Sequence, residues 1–208
     1  HPVAHSFPTR RSSDLAVLLE QPGGVGLLQP VSAGAAGVEP AALVETVRGL
    51  CAAACAGGVR FVQALAEPDA TADQRAWAAA GMVVLADLVY LRLPLAAPAA
   101  PDGTALRWRA YGAYDEAELA RVLEATYQGS RDVPLLAGAR TTAQIIAAHK
   151  AAGTFCPQAW LLAERAGTPV GCVLANDLPD AASADVAYLG VVPAARRQCW
   201  ASIPARWT

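Results

Sequence analysis

Charge is scarce in this sequence: only 16% of its 208 residues are Asp, Glu, Lys or Arg, and they leave a formal net charge of -2 at pH 7. The chain therefore lacks the basic field that gathers nucleic acid or anionic membrane, and neither is expected as a partner. Aromatic residues contribute 6% and methionine occurs once, so an apolar content of 54% rests on Ala, Val and Leu. That supply suffices for the core of one large globular domain or two small ones. The five cysteines, Cys51, Cys55, Cys156, Cys172 and Cys199, are odd in number and form no C-x-x-C pair. No disulfide framework is expected on that pattern. Cys51 and Cys55 stand one helical turn apart, a spacing that could offer two thiolates to a metal. No histidine or second cysteine pair lies near them, so they are read as small packing residues and no metal is expected.

Uninterrupted apolar runs are missing as well. Residues 33–59 are broken by Glu39, Glu45 and Arg48, residues 76–100 by Asp87 and Arg92, and Pro40, Pro94 and Pro98 add further breaks. No membrane-spanning segment is expected, and the protein is expected to be cytoplasmic.

Residues 1–15 differ sharply from the rest of the chain, holding two of the three histidines and paired arginines without apolar periodicity. HSFPTRRSSDL, residues 5–15, resembles the translation of a widely used short-read sequencing adapter. This segment is expected to be a foreign join and bears on no functional argument.

The remainder divides at residues 96–104, AAPAAPDGT, where Pro and Gly concentrate as in a linker. Before it, AVLLE and GVGLLQPV flank Pro-Gly-Gly as a hairpin, a helix is expected over 39–56, and VRFVQALA reads as a strand. A second helix is expected over 69–80, and the apolar run MVVLADLVYLRLPL, residues 82–95, reads as a long strand. After the linker, LRWRAY alternates as a half-buried strand, with Arg107 and Arg109 on a solvated face. Helices are expected over 114–127 and 140–152. QAWLLAER and PVGCVLAND then form a hairpin through Ala166-Gly167-Thr168, and residues 183–192 form a further strand ending at Pro193.

The most informative chemistry lies where SADVAYLGVV meets PAARRQCWA. A strand that runs into Pro and then an Arg-rich turn exposes backbone N–H groups able to bind a pyrophosphate, and arginine forks add charge-assisted hydrogen bonds. At these residues the chain resembles the GNAT superfamily of N-acyltransferases, whose signature is V-x-P-x-x-R-x-x-G-x-G/A. Val191, Pro193, Arg196 and Ala201 match it, and Cys199 stands in place of its first glycine. The resemblance covers about residues 106–201.

The resemblance implies an α+β fold with a mixed sheet, a transferase moving an acetyl group from acetyl-CoA to an amine, and a small-molecule or peptide acceptor. It implies that Leu189, Gly190, Val191 and Val192 pair with the pantetheine arm. The turn Arg196, Arg197, Gln198, Cys199, Trp200 and Ala201 then wraps the pyrophosphate. Asp185 is the leading candidate base, with a surface carboxylate as the alternative reading, and Glu164 is a second candidate. Tyr188 either faces the acceptor or packs, and His149 is read as structural. The Cβ at Cys199 is expected to weaken CoA binding.

The order of elements in residues 16–95 is similar to the later half of the same fold. The expected plan is therefore the end of a degenerate first repeat followed by the first part of a second, residues 105–208. Tandem GNAT proteins of the mycothiol synthase kind share this plan. The chain as it stands is expected to turn over little or not at all. The alternatives are one permuted domain built from both halves, and a catalytically silent GNAT-like module that binds a ligand or partner.

Overall fold

The computed structural model describes residues 10–12, 16–30, 39–92, 94, 106–133, 136, 138–178 and 183–198. The architecture mixes α and β: two four-stranded sheets and four α-helices among the described residues, in two compact units. The expected linker at 96–104 lies outside the described residues.

The first unit holds strands β1 (Arg10–Ser12), β2 (Ala16–Gln21), β3 (Val25–Pro30) and β4 (Phe61–Ala64), with helices α1 (Pro40–Ala56) and α2 (Thr71–Ala79). The β2–β3 hairpin turns through Gly23 and Gly24, whose φ values of 85° and 73° need residues without a Cβ. Helix α1 starts with Pro at its first position and ends at Gly57, then returns the chain to a β4 parallel to β3. Leu18, Leu28, Val47, Ala54, Val59 and Trp77 pack as its core.

One expectation fails here. Among the described residues of 82–95 no strand forms, and Val83, Val84, Val89, Tyr90 and Leu91 are 70% to 88% exposed. A β-branched run becomes a strand only when a neighbour completes its ladder. None of these residues is paired in either sheet.

The second unit is a sheet in the order β5 (Leu106–Ala110), β6 (Thr154–Arg165), β7 (Thr168–Leu178), β8 (Ser183–Val191), antiparallel throughout. Helix α3 (Glu116–Tyr127) buries Leu119, Val122, Leu123 and Thr126, one stripe at helical spacing. Asp115 caps it, Oδ1 accepting from the Glu118 N–H at 2.7 Å. Helix α4 (Thr142–Ala151) adds Ile146, and these side chains close on Trp160, Leu162, Cys172 and Leu174 of the sheet.

Asn176 is fully buried and ties the sheet to α4. Its amide donates to His149 O and Ala152 O, each at 2.6 Å, and its Oδ1 accepts from Trp160 Nε1 at 2.9 Å. A buried amide so satisfied costs little and fixes the register of what it joins. The β6–β7 ladder is irregular between Phe155 and Trp160, where Pro157 has no N–H to give.

Candidate functional site

β8 is the last strand of its sheet and pairs only with β7 among the described residues. Leu174 faces Tyr188 while Ala175 faces Val186, so Ala187 is an extra residue that bulges β8. The strand then enters Val192, a single turn of 3-10 helix at Pro193–Ala195, and Arg197 at φ 62°. Pro193 presets the backbone of that turn.

Beside the strand lies a cleft of about 320 Å³, lined by Tyr188, Leu189, Gly190 and Val191 on one side and by Thr126, Tyr127 and residues 129–132 on the other. Tyr188 divides its roles. Its ring packs against Tyr127 and His149, centroids 5.5 Å and 5.7 Å away, and its hydroxyl meets Thr126 Oγ1 at 2.7 Å. Burial raises the phenol's pKa above its ordinary value. Gly190 is required by this arrangement: a Cβ there would stand 2.7 Å from the Tyr188 ring and 2.8 Å from Thr126 Cβ.

Arg196 closes the cleft from the turn. Nε donates to Val191 O at 3.1 Å, Nη1 to Gly129 O at 3.3 Å and Nη2 to Thr126 O at 2.8 Å. The guanidinium thus caps the carbonyl end of α3, where a cation also favours the helix dipole. Arg197 and Gln198 are exposed, and Gln198 bridges Arg165 and Ala194 O. Cys199, Trp200 and Ala201 lie outside the described residues.

The two candidate bases lie apart from the cleft. Asp185 is exposed near the start of β8, opposite Asn176, and is not among the lining residues. Glu164 is buried on β6 and pairs with Arg109 at 2.8 Å, while Arg109 also binds the Glu118 carboxylate. Arg109 is therefore not on a solvated face as its alternation suggested. Two carboxylates draw it inward and raise its pKa, the Glu118 hydrogen bond first among the causes.

Periodicity identified β8 and α3 but not the short segment after α3. Gly129, Ser130, Arg131 and Asp132 form one cleft wall, and their only signal is a polar Gly-Ser turn following the last apolar residue of the helix. Among the described residues no group of three His, Cys, Asp or Glu gathers as for a metal, and no helix is long and apolar enough to cross a membrane. Compared with models of protein families and with curated proteins, the chain matches none.

Proposed function

We propose that the cleft beside β8 binds acetyl-CoA and that the second unit is a GNAT-like N-acyltransferase domain acting on an amine. The observation that carries this reading is the bulged edge strand running into the Pro193–Ala195 turn with an open cleft at its side. An unpaired strand edge offers main-chain groups to a pantetheine arm as a further strand would. The turn adds amides suited to a pyrophosphate, and Arg197 on it is exposed. In this reading the unit is the earlier part of a second repeat, and residues 16–95 descend from the later part of a first.

A second reading is favoured by the positions of Asp185 and Glu164. With neither carboxylate in the cleft, the unit binds its ligand without transferring the acyl group.

Calorimetry with acetyl-CoA, on this chain and on Cys199→Gly, tests the binding. Saturable heat, stronger in the glycine variant, supports it; no heat from either protein rejects it. Thiol release from acetyl-CoA with a panel of amines separates the two readings, since only the transferase produces it.

A further inference from the structure

The arginine that the signature singles out is already occupied. All three guanidinium nitrogens of Arg196 donate to main-chain carbonyls, joining the end of β8, the end of α3 and the Gly129 turn. A side chain so committed must break helix-capping bonds before it can turn to a ligand.

Arg131 differs. It is exposed, lines the same cleft, and no hydrogen bond or ion pair joins its guanidinium to another described residue. Among the described residues, the other charges lining the cleft are Asp132 and Arg196. Its five N–H donors form a fork that fits phosphate oxygens.

Resting on the acyl-CoA reading, we propose that Arg131 is the side chain that contacts the ligand's diphosphate, whereas Arg196 is a positioning residue holding the cleft walls together. Asp132 opposes the anion and limits its affinity.

CoA and pantetheine, which lacks the nucleotide and its phosphates, separate these roles by calorimetry. Arg131→Gln is expected to weaken CoA about tenfold, the scale of one charge-assisted hydrogen bond, and to leave pantetheine nearly unchanged. The CoA loss shrinks as salt rises. Asp132→Asn is expected to tighten CoA and not pantetheine. Arg196→Lys is expected to weaken both ligands by one factor and, without ligand, to speed amide exchange in residues 127–130.

Arg131→Gln weakening both ligands equally, or neither, overturns its assignment, as does an Arg196→Lys effect on CoA alone for that residue. If the unaltered protein binds pantetheine but not CoA, the Arg131 assignment fails while the pantetheine cleft survives. If it binds neither, the acyl-CoA reading and the Arg131 assignment fail together. Amide exchange in residues 127–130 still decides the role of Arg196.

Discussion

The Tyr188 hydroxyl lies 2.7 Å from Thr126 Oγ1, which itself donates to Leu123 O at 2.6 Å, so one short chain of hydrogen bonds fastens β8 to the last turn of α3. Gly190 sits against that link, and its missing Cβ leaves the room that the tyrosine and Thr126 take up. Gly190→Ala is therefore expected to destabilise the second unit by about 1 to 3 kcal/mol, the usual cost of overpacking. Tyr188→Ala in the same chain removes the clash with the ring and leaves the one with Thr126. Urea unfolding of the two single variants and the double variant measures this, and the double variant should lose less than the sum.

The same tyrosine contributes to an alkaline limit, alongside the more strongly shifted Tyr114. Burial raises its folded pKa above the unfolded value near 10, so the folded chain keeps a proton that the unfolded chain releases. Its stabilising share is complete below the unfolded value and is lost as pH rises through the folded one. Tyr188→Phe should flatten the decline in stability above pH ~10, measured by denaturant unfolding at stepped pH.

Glu116 and Lys150 supply the acid counterpart. Lys150 donates to Glu116 at 2.5 Å and to the Tyr111 hydroxyl at 2.9 Å, and the Lys150 hydrogen bond holds the Glu116 carboxyl below its ordinary value. Stability from this group is present above the unfolded carboxyl value and is lost as pH falls through the folded one. Glu116→Gln should be less stable at neutral pH by a few tenths of a kcal/mol, as an exposed pair implies, with the difference fading in acid.

The hairpin between β6 and β7 carries a correctable strain. Ala166 and Gly167 both have positive φ, 48° and 78°, the signature of a turn that prefers Asn-Gly. Ala166→Asn should raise stability by about 0.5 to 1 kcal/mol, read from the unfolding midpoint at unchanged slope.

Thiol chemistry tests the burial of the second core. Burial pushes the Cys172 thiol up to about 12, while Cys55 is exposed. A thiol reagent at pH 8 should modify Cys55 at once and Cys172 only on unfolding, as followed by peptide mass.

Much of the fold was legible because local signals agreed with their surroundings. Pro-Gly-Gly between apolar runs, Pro40 at a helix start, Gly57 at its end, and the stripe of Leu119, Val122 and Leu123 each specify their element within a few residues. The described residues of 82–95 departed from the expected strand because a β-type composition says nothing about whether a partner strand exists. Arg109 failed for a related reason: alternation assigns a face of the strand, but Glu118 and Glu164 arrive from α3 and β6 and turn that face into an ion-paired interior. In the cleft, the strand was legible and the opposite wall was not. The segment 129–132 has no period of its own and owes its place to the carbonyls that Arg196 holds.

Hydrogen exchange with and without CoA tests the cleft most directly. If CoA lies along the edge of β8 away from β7, the amides within residues 187–191 that face that edge, and amides of residues 196–198, should slow when it is added, and peptides from β5 should not change. Unchanged exchange along β8 at saturating CoA, or protection confined to other elements, would contradict CoA binding at this edge.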